Sequence, residues 1–123
     1  MICLVPALAG GAEFRTPAIT AAQLDAVRGS TQAPLVVDVR PATEYKAGHL
    51  PRAVNIPYTK LTQHLGELRA AANGVVLYCT LGKRTQLAEQ ILLEQRVSKL
   101  SHLEGGLGAW RAGGYEIHTG WGP

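Results

Sequence analysis

The sequence predicts an α/β domain built around a parallel sheet. Short runs rich in valine and leucine alternate with segments whose apolar residues recur at helical spacing, which is typical of strand–helix–strand units. A chain of 123 residues is the length of one domain, long enough to bury a real core. The content of 46% apolar and 17% charged residues excludes a disordered chain.

Four elements are predicted between residues 20 and 57. A capping box of Thr20 and Gln23 begins a short helix. The valine-rich run 35–39 is too short for a helix and is predicted as a buried strand. A short helix is predicted over 41–48, because proline suits the first helical position and glycine the end. The run 53–56 is predicted as the next strand, closed by a proline.

Five more elements are predicted in the second half of the chain. Apolar residues recur at helical spacing over 58–72, before an Asn-Gly terminator. The run 75–79 is predicted as a central buried strand, followed by a tight glycine-containing loop and a helix through 87–95. A last strand is predicted within 97–103, and a helix carrying residues 107–110 after a Gly-Gly turn.

Charge and cysteine content narrow the class of partner. Twelve Lys and Arg residues against nine Asp and Glu give a net charge of +3, and the only adjacent basic pair is Lys83-Arg84. Nucleic-acid surfaces usually carry a clustered basic stripe, so we expect small anions as ligands and no nucleic acid. Two cysteines, Cys3 and Cys79, exclude a disulfide framework. No residue spacing suits a metal, and no stretch is long enough to span a membrane.

The N-terminus leaves two interpretations open. Residues 1–12 are apolar but short, and Ala7-Leu8-Ala9 resembles a signal-peptidase site. An irregular arm predicts a cytoplasmic protein, whereas a truncated export signal over Met1–Ala9 predicts a periplasmic one. We therefore divide the chain into an arm (1–17), a domain (18–117) and a tail (118–123).

Cys79 is the candidate reactive residue. It follows a predicted central strand and precedes a glycine loop, two cations and a helix. Ligands of open α/β sheets bind at the carboxyl ends of strands, and helix N-termini attract anions. This is the environment expected of a reactive thiolate. The alternative is a buried, inert cysteine, which is common in proteins; Lys83 and Arg84 directly after the loop glycine favour the reactive site.

Several separated motifs resemble those of the rhodanese-like domain family. Together they cover roughly residues 18–117, and their order makes the resemblance specific. They are Asp38-Val39-Arg40 with Glu44-Tyr45 and Gly48-His49-Leu50, then Ala53-Val54-Asn55-Ile56-Pro57, then Tyr78-Cys79-Thr80-Leu81-Gly82-Lys83-Arg84, and finally Leu103-Glu104-Gly105-Gly106-Leu107 with Trp110.

The resemblance implies a single rhodanese-like domain, with a central parallel five-stranded sheet flanked by helices on both faces. It also implies a sulfurtransferase, in which Cys79 takes a sulfane sulfur from thiosulfate, forms a persulfide and passes the sulfur to cyanide or a thiol. No cofactor or metal is implied. The backbone N–H groups expected to surround the persulfide are those of Thr80, Leu81, Gly82, Lys83, Arg84 and Thr85.

Elementary chemistry agrees with this expectation. Sulfur transfer needs an exposed thiolate, and a ring of N–H donors stabilises a persulfide anion as an oxyanion hole stabilises oxygen. Lys83 or Arg84 is expected to bind the sulfonate end of thiosulfate. The family's mercaptopyruvate-using members lack such cations, which favours thiosulfate. Gly82 is expected to supply a positive φ.

Two alternative functions remain at this point. The related phosphatases need five residues between cysteine and arginine, whereas four lie between Cys79 and Arg84, so we expect too small a pocket for phosphate. A non-enzymatic rhodanese-like interaction or sulfur-carrier module usually lacks the cysteine or the loop glycine. Both Cys79 and Gly82 are present, which favours the enzyme.

Other residues receive structural interpretations. Asp38, Arg40 and Glu44 are expected either to support the active loop as a polar network or, as we favour, to fix the turn as an ion pair and helix cap. His49 is expected to be a buried turn histidine, and Trp110 a core residue. These expectations follow from their places in the motifs.

The expected partners are a small anionic donor, thiosulfate, and cyanide or a thiol, including that of a thioredoxin-like protein. The chain is expected to be a monomer or a weak dimer. Arg52 stands where the family usually has glycine, and either extends the cationic field or is simply solvated. Trp121 is expected to cover an apolar patch or to be mobile. Pairing of Cys3 with Cys79, or a role of Cys3 in resolving the persulfide, is not favoured, because an N-terminal arm is expected to fray.

Overall fold

The fold is known from a computed structural model that describes residues 13–122. Strands and helices alternate along the chain, as the sequence predicts. In order they are β1 (Ala18–Ile19), α1 (Ala21–Val27), β2 (Leu35–Asp38), α2 (Ala42–Ala47), β3 (Val54–Asn55), a 3₁₀ helix (Tyr58–Gln63), α3 (Leu65–Arg69), β4 (Val75–Tyr78), α4 (Lys83–Glu94), β5 (Leu100–Leu103) and α5 (Gly106–Ala112).

All strands join one parallel sheet in the order β1-β5-β4-β2-β3. This confirms the predicted five-stranded parallel sheet and places β4 at its centre. The first strand, β1, has only two residues, too few to show a strand period, and it was missed in the sequence. The other four strands fall within the predicted runs.

Helices cover both faces of the sheet. Because successive strand residues point to opposite faces, Val75, Leu77 and Cys79 enter one apolar cluster, and Val76 and Tyr78 enter the other. The first cluster also contains α4 residues, and the second contains residues of α1, α2 and α5. The predicted helices on both faces are therefore confirmed.

The helix predicted over 58–72 is divided into two shorter pieces. The 3₁₀ helix ends at Gln63, and the φ of −126° and ψ of 20° at the next residue, His64, interrupt the helical backbone before α3 begins. The Tyr58 N–H donates to the Val39 oxygen at 3.0 Å, so the start of this segment is tied to the end of β2. The apolar spacing persists across the break, with Leu61 and Leu68 both buried.

The capping box is present as predicted: the Gln23 N–H donates to Thr20 Oγ1 at 3.1 Å, and Gln23 Oε1 accepts from the Thr20 N–H at 2.9 Å. Segments beside the predicted domain limits pack against it, since the His102 N–H donates to Pro17 and His118 bridges to His49. Between residues 13 and 122, every helix is too short or too polar to cross a membrane. Cys3 and the Met1–Ala9 segment lie outside the described residues.

Candidate active site

Cys79 lies just beyond β4, at the carboxyl edge of the sheet where ligands of such folds bind. It is only 2% exposed and belongs to an apolar cluster, so the expected exposed thiolate is wrong. The reason is strand alternation, which turns this side chain inward with Leu77. Access is through a cavity of about 200 Å³. Its lining consists of Cys79, Thr80, Leu81, Gly82, Lys83 and Arg84.

This loop offers unused hydrogen-bond donors beside the cysteine. Within the described chain, none of the backbone N–H groups of residues 80–85 donates to another protein group. The last three belong to the first turn of α4, where N–H groups have no partner within a helix. Gly82 adopts φ of 158° and ψ of −18°, which confirms its expected positive φ. The geometry is that of an anion cradle.

Five of the six predicted cradle residues line the cavity together with Cys79. The sixth, Thr85, does not line it; its side chain is buried, and Thr85 Oγ1 has no hydrogen-bond partner among the described residues. The Leu81 side chain is 75% exposed, so this residue can serve the cavity through its backbone alone.

The start of α5 packs directly against the loop. The N–H groups of Leu107 and Gly108 donate to the oxygens of Cys79 and Thr80, at 2.9 and 3.0 Å. Gly106 has φ of 58°, and a Cβ there would lie 2.5 Å from the Cys79 oxygen. These two carbonyls are thus held by α5. In the sequence the Gly-Gly pair indicated only a turn; the close approach depends on tertiary packing that a local pattern does not show.

Arg84 is held by a carboxylate. Its Nη1 and Nη2 donate to the two oxygens of Glu44 at 2.9 and 3.0 Å, and Nη2 also donates to Thr80 Oγ1 at 3.1 Å. The hydrogen bonds from Arg84 hold the pKa of Glu44 below its ordinary value, and the same pair raises the pKa of Arg84. This contact ties α2 to the loop and leaves Arg84 less available to a substrate than expected.

Lys83 differs from Arg84 in its ion pairing. Its side chain is exposed and forms no ion pair with any residue of the described range. It lines the cysteine cavity. Of the two cations expected to bind a donor, Lys83 is therefore the one whose charge is not already paired.

Asp38 and Arg40 form a buried pair beneath the site. Arg40 Nη2 donates to Asp38 Oδ2 and to the Gly48 oxygen, both at 2.6 Å, and Tyr78 Oη donates to Asp38 Oδ2 at 2.8 Å. Burial opposes the Arg40 charge, but Asp38 more than offsets it and raises the pKa of Arg40. Burial and then Asp38 raise the pKa of Tyr78. Since Tyr78 precedes Cys79, the pair fixes the strand end that presents the thiol.

The residues predicted as one group, Asp38, Arg40 and Glu44, belong to two separate ion pairs. Asp38 and Arg40 form the expected buried ion pair at the turn, but the expected helix cap is absent, because among the described residues no side chain caps α2 at Pro41. Glu44 is part-exposed and contacts Arg84, which agrees with the alternative interpretation of a polar network beside the loop. Arg52 has a left-handed φ of 66°, which accounts for the glycine usual at this place, because other residues adopt that conformation at a cost.

The remaining singled-out residues have structural contacts. His49 is fully buried, with Nδ1 and Nε2 each 2.8 Å from a backbone oxygen, those of Tyr45 and Gly122. Trp110 is a fully buried core residue. Trp121 lines a mostly apolar cavity of about 590 Å³, which Val39 and Tyr58 also line. Over residues 13–122 the structure brings together no cluster of side chains suited to a metal ion.

The site combines a parallel α/β sheet, a cysteine at the end of its central strand, and a following loop whose backbone N–H groups have no partner among the described residues. Such an arrangement defines a class of α/β domains with a loop-bound cysteine. A family model described as Rhodanese-like domain matches residues 20–113. The chain belongs to the rhodanese-like domain family.

Curated relatives are about one-third identical to this chain over the aligned stretches. An HTH-type transcriptional regulator of Mycobacterium tuberculosis is 34% identical over 104 residues, which are 84% of this chain and 45% of that protein. A protein named sulfurtransferase from Allochromatium vinosum is 31% identical over 87 residues, 71% of this chain and 80% of its own length. The chain spans about half the length of the first of these relatives.

Solved structures show the same fold. A rhodanese-related protein from Thermoplasma volcanium has a TM-score of 0.70 at 28% identity, covering 83% of this chain and 97% of that one. A thiosulfate sulfurtransferase from Pseudomonas aeruginosa has a TM-score of 0.76 at 23% identity, covering 85% of this chain and 20% of that one. At the second identity the likeness concerns the fold alone.

Proposed function

We propose that the chain is a thiosulfate sulfurtransferase that carries sulfur as a persulfide on Cys79. The relatives named sulfurtransferases support sulfur transfer in general. The observation that carries the finer proposal is the cavity of about 200 Å³, where Cys79 lies beside a loop of unpaired N–H groups.

Two displacements complete the reaction. In the first, the Cys79 thiolate attacks the outer sulfur of thiosulfate; the new S–S bond forms as the old one breaks, and sulfite leaves with the electron pair. In the second, cyanide or a thiolate attacks the outer sulfur of the persulfide, and the Cys79 thiolate is the leaving group. No external oxidant or reductant enters either step, and a covalent intermediate of this kind gives ping-pong kinetics.

The loop supplies electrostatic stabilisation. A persulfide anion carries its charge on the outer sulfur, and preorganised N–H donors stabilise such charge strongly in a site that excludes water. Cys79 is nearly buried but lines the cavity, so a small donor has to reach the thiol through that opening. Hydrogen bonds to an ion are stronger in such a low-dielectric setting. The unpaired Lys83 is positioned to hold the sulfonate end of the donor.

The length of the loop favours sulfur over phosphate. Four residues separate Cys79 from Arg84, and Arg84 is turned toward Glu44 by two hydrogen bonds. To bind a phosphoryl group in the usual bidentate way, the arginine would have to present its N–H groups to the phosphoryl oxygens. Thiosulfate demands less, since only its outer sulfur must enter the cradle.

Intact-protein mass spectrometry tests the proposal. After incubation with thiosulfate and removal of excess donor, we expect the protein to gain the mass of one sulfur atom and to lose it on addition of cyanide, with release of thiocyanate. The control variant Cys79→Ser should gain nothing. An unmodified parent protein, or an equal gain in Cys79→Ser, contradicts the proposal. Inclusion of mercaptopyruvate and an aryl phosphate as competing substrates tests the choice of donor.

A further inference from the structure

Residues 13–17, here called the N-terminal strap, are fastened to the domain although they precede the family match. The Arg15 N–H donates to Glu89 Oε1, and Thr16 Oγ1 donates to Glu89 Oε2 at 2.7 Å. Thr16 Oγ1 also lies 3.0 Å from His102 Nδ1. The strap therefore bridges α4, which carries Glu89, and β5, which carries His102.

Burial of Glu89 makes this fastening strong. The residue is 1% exposed, and its hydrogen-bond donors within the described chain are the two strap groups. A buried carboxylate without hydrogen bonds is costly. Release of the strap would leave Glu89 without these donors, so the folded domain favours the docked strap.

The docked strap brings Phe14 against the active-site loop. Its ring stacks on the ring of His102, with 3.7 Å between centroids and 9° between planes. The tip of the ring, Cζ, faces Gly82: a Cβ on that glycine would lie 3.0 Å from it. Phe14 is not among the residues that line the cysteine cavity, so it contacts the loop without entering the cavity.

We propose that Phe14 is a positioning residue for the sulfur site. The Phe14 ring lies between His102 and Gly82. It packs against the loop at Gly82 and thereby keeps the N–H groups of residues 80–85 close to Cys79. Glu89 fixes Phe14 indirectly, through the two strap residues that follow it. This inference rests on the proposed function, since the position of the loop matters most when a persulfide must be stabilised.

Two variants test Phe14, one by removing its ring and the other by enlarging it. Phe14→Ala removes the ring that packs against Gly82. Phe14→Tyr keeps the stacked ring but adds an oxygen at Cζ, which points at Gly82. We expect the rate of sulfur loading from thiosulfate to fall about tenfold or more in both, because small misplacements of catalytic groups are costly. Phe14→Leu, which retains apolar bulk without the para oxygen, should recover part of the rate. Leu93→Ala, an exposed truncation on α4, is the control and should load normally.

The pH profile of Cys79 alkylation by iodoacetamide separates positioning from general destabilisation. The midpoint of the alkylation profile should move to higher pH in Phe14→Ala and Phe14→Tyr, because displaced loop N–H groups stabilise the thiolate less, while urea unfolding shows that both variants remain folded. Should Phe14→Ala fail to fold, Phe14→Tyr and Phe14→Leu still carry the comparison. Wild-type loading rates and an unchanged alkylation profile overturn the proposal. Failure of the parent protein to load sulfur contradicts the proposed function instead, and the alkylation profiles then decide on Phe14.

Discussion

Arg84 and Glu44 form a two-point ion pair across the mouth of the cysteine loop, with nitrogen–oxygen distances of 2.9 and 3.0 Å. The pair joins the first turn of α4 to α2. Its side chains are 29% and 40% exposed, so its contribution to folding is modest, about 1 kcal/mol or less. Its significance is geometric, because the Arg84 guanidinium is engaged by a carboxylate, whereas Lys83 forms no ion pair with any described residue.

The two cations should therefore affect catalysis differently. We expect Lys83→Ala to raise the KM for thiosulfate about tenfold with little change in cyanide discharge, since only the first step binds a dianion and a charged hydrogen bond contributes about 1.5–3 kcal/mol. Arg84→Ala, which releases the loop, should slow both half-reactions. Single-turnover measurements of each step give the comparison. Identical profiles for the two variants would contradict these separate roles.

Gly106 is predicted to be essential for the shape of the cradle. In Gly106→Ala the new Cβ would meet the backbone oxygens of Cys79 and Thr80 at 2.5 and 2.7 Å, so the loop must move. We expect a loss of at least about 1–2 kcal/mol of unfolding free energy from the left-handed backbone alone, together with lost sulfur loading. Gly114→Ala is the matched control, since Gly114 has φ of 76° and open space around it. It should share the backbone cost and load sulfur normally; impaired loading in both variants would count against the contact.

Asp38 is predicted to be the most sensitive buried charge. Asp38→Asn leaves Arg40, whose side chain is 5% exposed, without its carboxylate, and breaking such a pair costs about 3–5 kcal/mol. Asp25→Asn removes a part-exposed partner of Arg28 and should cost below about 1 kcal/mol. Urea unfolding of both variants measures the contrast. Similar losses for the two would show that the buried pair is not the stabilising element.

Acid should weaken the domain through His102. Burial lowers the pKa of His102 below 6.5, against the opposing charges of Glu89 and Glu104. Below about pH 6.5 the unfolded chain then binds more protons than the folded one, so stability falls as pH drops from there toward the folded pKa. Unfolding free energies at pH 7.5, 6.5 and 5.5, values chosen to span the ordinary histidine pKa, should fall less steeply in His102→Gln than in the parent protein. His64→Gln, at a part-exposed site, is the control, and parallel curves for the parent and His102→Gln would refute this role.

Short sequence patterns predict most of the fold, because residues that are close in the chain specify most of its helices and strands. The valine-rich runs around Val37 and Val76 and the capping box at Thr20 each specify an element without reference to distant residues. The two-residue strand β1 lacks such a pattern, since its pairing with His102 and Leu103 depends on where β5 lies. The apolar spacing over 58–72 predicts a single helix, because such spacing alone does not distinguish a 3₁₀ helix from an α-helix.

The site was predictable in its residues but not in its contacts. Cys79 and the loop after it stand together in the chain, so sequence order alone locates the cavity. The pairing of Arg84 with Glu44 spans 40 positions, and the approach of Gly106 to the Cys79 oxygen spans a helix and a strand. The inward turn of the Cys79 side chain follows from strand alternation, which places Cys79 on the same face of the sheet as Leu77.

The sheet ends in strands of only two residues on each side, β1 and β3. Long unpaired edges are templates on which foreign chains add further strands, and natural proteins shorten them for this reason. Here each border offers very few free backbone groups. By this principle the short edges disfavour edge-to-edge aggregation, although the central strands β2 and β4 are rich in valine and leucine.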